Sequence, residues 1–221
     1  MKTHNPLTSM NLSNERRDYE GPRLLENAVP ADPFELFTEW MQRALDEELR
    51  DATAMAVSTC SSDGRPSSRM ILLKGHDPNG FVFFTRYSTQ KATDLLANPR
   101  AALLFHWREL ERQVRIQAVL QRLSLAENQA YFASRPRGSQ LSARAASCLG
   151  RVPSAETLDE RFRVEAERWQ GQEVPMPGDW GGYRAAPDRI EFWQGRPNRM
   201  HDRIVYELAA DSSWGRYRLA P

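Results

Sequence analysis

Arg199, His201 and Arg203 recur at every second position. They follow a turn, Gly195-Arg196-Pro197-Asn198, and precede an apolar run, Ile204-Val205-Tyr206. Read as a strand, Arg199–Arg203 places the three on one face, roughly 6–7 Å between neighbours. Cationic groups in a row repel, so packing alone gives no reason for the pattern. An anion lying across the face would explain it; a solvated edge strand, kept charged against aggregation, is the alternative. Further residues of the same character lie upstream. Arg69 and Lys74 sit on the run PSSRMILLK, and Lys91 follows Ser88-Thr89 at the start of a short helix. Free backbone N–H groups and the helix dipole favour a phosphate there. Gln113 falls inside a β-run, where its amide needs partners if buried. Tyr131 and Arg135, four apart, share a helix face, and Arg135 and Ser139 flank a helix break. Each alone is more often a surface residue. As a set they suit one or two ligands carrying phosphate and a flat polar ring, with Phe84 and Trp193 as aromatic walls or as core.

Composition narrows the field. Thirty basic and 29 acidic residues leave a net charge of +1, so any anion site is local. A general nucleic-acid or membrane-surface role, which needs a strong basic excess, is not supported. Cys60 and Cys148 form no CxxC pattern, and His4, His76, His106 and His201 show no metal-ligand spacing. The N-terminal residues lack the apolar stretch of a secretory signal, and no window approaches the ~20 apolar residues of a membrane span. A cytoplasmic, reducing location is the expectation.

The elements that must position these residues follow from periodicity. Residues 1–31 are polar, contain three prolines and are expected to be a mobile segment, with 32–221 as a single domain. Asp32, Pro33 and Glu35 announce a helix with a capping box, continued by apolar residues at helical spacing from Phe34 to Leu49. Strands are predicted over Ala54–Cys60, Pro66–Lys74 and Phe81–Arg86, joined by turns at 61–64 and 77–80 into a meander. A short helix over Thr89–Ala97 precedes two longer strands, Arg100–Trp107 and Arg112–Leu123. Helices are predicted from a capping box at Ser124 and Glu127 through Phe132, then over Gln140–Leu149 and Thr157–Gln170. Strands from about Trp180 to Gln194, Arg199 to Leu208 and Trp214 to Leu219 close the chain. No Gly-rich strand–turn–helix supports a dinucleotide site. The reading is mainly β with flanking helices: an antiparallel barrel with helices packed outside.

Long motifs carry a resemblance. SRMILLK, LERQV, YFASRPRGSQ, WGGYR, IEFWQG, RMHDR and the terminal RLAP resemble the bacterial pyridoxine (pyridoxamine) 5′-phosphate oxidases over nearly the whole chain from Arg16. The resemblance implies an antiparallel split β-barrel, a homodimer that binds FMN at its interface. By that likeness Arg69 and Lys91 hold the FMN phosphate, with Lys74 and Gln90 in the same cofactor set. Met70, Ile71 and Leu72 pass their backbone along the flavin. Phe84, Thr85 and Gln113 contribute from the same subunit, and Trp193 and Arg203 from the partner. Lys74, Tyr131, Arg135 and Ser139 would bind the substrate phosphate. Arg199 and His201, the catalytic pair, would hold its pyridine ring, and Arg16, Arg17 and Tyr19 would close over it. Two departures stand out: Gln90, where the family commonly has a basic residue, and Cys148-Leu149, where it commonly has Gln-Ser. The first removes a charge-assisted contact worth roughly 1.5–3 kcal/mol. The implied reaction oxidises pyridoxine or pyridoxamine 5′-phosphate to pyridoxal 5′-phosphate, with O2 as acceptor and release of H2O2, and of NH3 from the amine. Two alternatives remain: a related FMN oxidase of phenazine type, and a non-catalytic carrier of flavin or pyridoxal phosphate on the same barrel.

Overall fold

The computed structural model describes residues 17–221 apart from Cys148 and Leu149. The departure at Cys148-Leu149 and the candidate Arg16 therefore lie outside the described residues. One nine-stranded antiparallel sheet forms the molecule, in the order β2-β1-β5-β6-β7-β4-β3, with β8 on β7 and β9 on β8. The strands are β1 (Ala54–Cys60), β2 (Pro66–Leu72), β3 (Gly75–Asp77), β4 (Gly80–Arg86), β5 (Arg100–Trp107), β6 (Arg112–Arg122), β7 (Trp180–Gln194), β8 (Asp202–Leu208) and β9 (Trp214–Leu219). The first and last strands of the main order, β2 and β3, are neighbours in sequence. Leu73 N donates to Thr53 O beside β1, and Lys74 N donates to Val82 O on β4. The sheet thus curls until its two ends meet at one corner and stays open elsewhere, which is the expected split barrel.

Two pairings differ from expectation. The meander β1–β2–β4 does not form: β2 pairs with β1 alone, and β4 pairs with the distant β7. The predicted Pro66–Lys74 strand is two strands, because the corner at Leu73-Lys74 redirects the chain into β3. The predicted strand Arg199–Leu208 begins only at Asp202. Pro197–Arg199 is a 3₁₀ turn, and Asn198 and Arg199 have φ of 55° and 62°, outside the extended region that a strand requires. Arg199, His201 and Arg203 therefore do not line one strand face.

Helix α1 (Pro33–Asp46) packs its apolar face on the barrel core. Its cap is the Asp32 carboxylate accepting from Phe34 N, without the reciprocal bond of the expected box. Phe34, Phe37, Trp40, Met41 and Ala44 are buried. The Phe37 ring packs edge-on to Phe81 and Phe105 at 4.8 and 5.1 Å; truncating such a ring costs about 3–5 kcal/mol. Helices α2 (Gln90–Ala97), α3 (Leu125–Ser134), α4 (Arg137–Ala145) and α5 (Ala155–Arg168) flank the sheet. The capping box at Ser124 and Glu127 is present. Helix α4 starts at Arg137, not Gln140, and ends at Ala145. Phe132, Leu141, Val174 and Trp180 make a second, smaller core beneath these helices.

Residues 17–31, expected as part of a tail, lie against the barrel. Leu24 and Val29 are buried, and Leu24 N donates to the Asp202 carboxylate at 2.9 Å. No helix among the described residues is long and apolar enough to cross a membrane.

Candidate active site

A cradle of cations stands where β2, β4 and α2 meet. Arg69 on β2 is pinned by its own surroundings. Its Nη1 donates to Val57 O, Thr59 Oγ1 and Ser67 O at 2.9–3.0 Å, and its Nη2 to Ser67 Oγ at 2.6 Å. Lys91, in the first turn of α2, donates to Thr85 Oγ1 and Thr89 Oγ1 at 2.9 and 3.2 Å. Its pKa is lowered to about 8, first by burial and then by the charges of Arg69 and Arg86. Thr89, the N-cap of α2, makes no capping bond; its hydroxyl donates to Arg86 O instead. Ala92 N donates back to Thr89 O at 2.9 Å, so the Gln90 and Lys91 amides are the first-turn donors placed to meet an anion. The Gln90 amide donates to Asp94 Oδ1 at 2.8 Å, and Asp94 in turn accepts from Thr59, which accepts from Arg69. Met70 and Leu72 are exposed on β2. Since β2 has a strand on one side only, its outer edge offers free backbone donors and acceptors to a flat ligand.

Next to the cradle is a cluster of rings. Phe84 on β4 lies 3.8 Å from Tyr131 of α3 and 5.3 Å from Trp180 of β7, and Tyr131 and Trp180 are themselves 6.1 Å apart, so the three near-parallel rings form a triangular cluster. The Arg135 guanidinium sits 4.9 Å from the Trp180 ring centre. Its Nη1 is buried with no hydrogen-bond partner, a costly state that an anion would relieve. Ser139 lies in the first turn of α4, whose N-cap Pro136 has no side-chain cap to give. Burial raises the Tyr131 pKa and lowers that of Arg135. Lys74 is exposed at the corner between β2 and β3.

The third group lies at the far end of β7. Trp193 contacts His201 at 4.7 Å, and Tyr19 packs edge-on to both rings, at 5.6 and 5.1 Å. His201 Nδ1 accepts from Arg196 N at 3.1 Å, which assigns the proton of the neutral ring to Nε2. Burial, then the charge of Arg199, lowers its pKa, against an opposing pull from Glu111. Arg199 is exposed on the 3₁₀ turn. Arg203 is held by Glu191 Oε1 and Ala220 O, both at 2.8 Å. Burial pulls the Glu191 pKa up, but Arg203, Arg115 and Arg189 outweigh it and keep the carboxylate charged. Gln113 stands opposite Trp193 across β6 and β7.

The sequence reading passed over Glu111, whose carboxylate fastens the N-terminal segment. It accepts from Arg17 Nη2 at 3.2 Å and from Glu20 N and Gly21 N at 2.8 and 2.9 Å. It also passed over Arg86, Trp180 and Glu191. Arg86, ending an apolar strand, carries no sequence signal; Glu111, Trp180 and Glu191 fall inside LERQV, WGGYR and IEFWQG, but only the fold shows what they hold. A cavity of about 570 Å³ beside His201 is lined by Arg23, Arg196 and Arg218. Arg218 is already paired with Glu26 and Asp202, and Arg196 with Asp202, so it offers less to an anion than the cradle does.

Fold and cation pattern together define an antiparallel split barrel with clustered cations beside packed aromatic rings. Comparison with known proteins makes this specific. Residues 41–173 match the family model described as pyridoxamine 5′-phosphate oxidase, and residues 180–221 match the pyridoxine 5′-phosphate oxidase C-terminal dimerisation region. The chain is 46% identical over 214 residues to a pyridoxine/pyridoxamine 5′-phosphate oxidase of Acaryochloris marina, covering 97% of each protein. It is 48% identical over 210 residues to one of Rubrobacter xylanophilus, covering 95% of this chain and 96% of the other. Among solved structures it is similar to PhzG of Burkholderia lata in complex with tetrahydrophenazine-1-carboxylic acid, with a TM-score of 0.85 and 27% identity over 91% of this chain and 100% of that one. An FMN-binding protein of Nostoc punctiforme shares the fold, with a TM-score of 0.70 and 15% identity over 87% of this chain and 100% of the other. The chain belongs to the pyridoxine/pyridoxamine 5′-phosphate oxidase family.

Proposed function

We propose that the chain is an FMN-dependent oxidase that converts pyridoxine 5′-phosphate and pyridoxamine 5′-phosphate to pyridoxal 5′-phosphate. Dioxygen is the acceptor, hydrogen peroxide the second product, and the amine also yields ammonia. The observation that carries this reading is the buried, unpartnered Nη1 of Arg135 beside Tyr131. It marks an anion position separate from the Arg69–Lys91 cradle. A cofactor phosphate accounts for one position and a phosphorylated substrate for the other.

The residues present fit FMN. Arg69 and Lys91 hold its phosphate, and the open edge of β2 at Met70, Ile71 and Leu72 meets its ring. Bound FMN supplies the two-electron chemistry that no side chain here can. Lys74, Tyr131, Arg135 and Ser139 take the substrate phosphate, which makes the subsequent step effectively unimolecular. Arg199, always charged, orients the pyridine ring and stabilises charge developing on the substrate. His201 stays neutral at neutral pH and presents its Nε2–H as a donor. Tyr19, with Arg17 behind it, excludes water from the Trp193–His201 face.

The matched C-terminal dimerisation region and the length of β7 support a homodimer. Trp180 beside Arg135 and Trp193 beside His201 lie thirteen positions apart on one strand, roughly 40 Å of extended chain. One copy cannot bring both groups to one small substrate; two copies related by a two-fold axis can.

The likeness to PhzG favours a second reading, an FMN oxidase acting on a tricyclic substrate without phosphate. The two are separated by purifying the protein, recording its visible spectrum, loading FMN and following peroxide in air. Aldehyde and peroxide formed with pyridoxine 5′-phosphate support the first reading. Turnover with only non-phosphorylated tricyclic substrates supports the second, and flavin binding without peroxide leaves a carrier.

A further inference from the structure

Arg69 and Arg86 both act on the Lys91 ammonium, and the acid that bears on this group, Asp94, does so through Arg69. Among the described residues neither Arg69, Arg86 nor Lys91 forms an ion pair; each donates to neutral oxygens. Two acids lie close by, and both are engaged. Asp94, buried under α2, accepts from Thr59 Oγ1 at 2.6 Å and from the Gln90 amide. Asp179 accepts from Ser88 Oγ at 2.8 Å and Ser147 Oγ at 2.6 Å.

Arg86 is the member of this set to which the resemblance assigns no role. It ends β4, one residue after Thr85, which accepts from Lys91. Its own carbonyl accepts from the Thr89 hydroxyl, so its backbone is tied into the turn that leads to α2. Its guanidinium is half-buried and is anchored through one Nη1 bond to Ala146 O, just past α4. A guanidinium has five N–H donors, so this anchor fixes its direction without exhausting it. The residue one position before Lys91 adds no charge here, because Gln90 is neutral and bound to Asp94.

We infer that Arg86 is a phosphate ligand of the cofactor cradle, completing with Arg69 and Lys91 a three-cation grip on the FMN phosphate. The inference rests on the FMN reading above and assigns the third charge of that site. The depressed pKa of Lys91 agrees with it: two fixed positive charges already act on the ammonium, a repulsion that a bound dianion reverses.

The test compares FMN with riboflavin, which has the same ring system and no phosphate, by quenching of flavin fluorescence on titration with the flavin-free protein. Arg86→Gln is expected to weaken FMN binding about ten- to a hundredfold, as loss of a charge-assisted contact does, and to leave riboflavin within twofold. Arg86→Lys keeps the charge and loses the fork, so a smaller, several-fold loss confined to FMN is expected. The Lys variant also serves if the Gln variant fails to fold. Unchanged FMN affinity in either folded variant, or equal losses for FMN and riboflavin, would overturn the role of Arg86. Wild-type protein that binds FMN no better than riboflavin would instead overturn the phosphate cradle itself, a result distinct from the first.

Discussion

Lys91 shows how one residue can report on its site. Its pKa of about 8, set by burial and by Arg69 and Arg86, is well below the ordinary lysine value of about 10.4. The sign for folding follows directly. Between pH 8 and 10.5 the unfolded chain holds this proton and the folded chain does not, so the contribution of Lys91 to stability rises with pH across that window. Binding of an anion runs the other way, because it needs the ammonium. The arginines stay charged throughout, and a phosphate monoester is already a dianion above about pH 6. FMN affinity should therefore be flat from pH 6.5 to 8 and then fall, by up to about tenfold per pH unit, with protons taken up on binding. Calorimetry in two buffers of different ionisation enthalpy measures that uptake. Affinity that holds level through pH 9 would show that Lys91 is not a ligand of the phosphate.

At the scale of elements, the segment from Arg17 to Leu24 is held by single residues on the barrel. Glu111 takes three donors from it, Asp202 takes Leu24 N, and Arg196 donates to Gly21 O. Close approach is possible because Gly195 has no side chain: a Cβ there would sit 2.5 Å from Tyr19 Cδ1. Glu111→Ala removes the acceptor for two backbone amides and one guanidinium. It should release Tyr19 from His201, raise KM for the phosphorylated substrate about tenfold and speed tryptic cleavage at Arg17 and Arg23, with little change in melting temperature. An unaltered cleavage rate would mean that Asp202 and Arg196 suffice to hold the segment. Composition and periodicity show residues 1–31 only as polar and proline-containing; the resemblance implies that Arg17 and Tyr19 close over a ligand, but not which barrel residues fasten them. The limit is general: periodicity gave β1, β4, β5, β6 and the box at Ser124, all local features. It did not give the β4–β7 pairing, which joins residues about a hundred positions apart, or the positive φ values that break the Arg199–Arg203 alternation. Arg199, His201 and Arg203 stay candidates without that strand, because the motif RMHDR carries its resemblance independently of local geometry.

At the scale of the molecule, the candidate residues fall into two groups at opposite ends of β7. The Arg69–Lys91 cradle and the Tyr131–Arg135 cluster lie near its start, and Tyr19, Trp193, His201 and Arg199 lie near its end. If one substrate is to meet Arg135 and His201 together, they must come from different copies. Mixing two inactive variants decides this. Let one copy carry Arg135→Met and the other Arg199→Ala with His201→Ala, and let them dissociate and re-pair at random. In a two-fold dimer with shared sites, each mixed dimer has one site built from intact halves and one from two damaged halves. Half of the dimers are mixed, so about a quarter of wild-type turnover should return. If each site were built within one copy, every site would keep a defect and no activity would return. A quarter of the activity, appearing only after mixing and scaling with the mixed fraction, would place the two ends of β7 from different copies around one substrate.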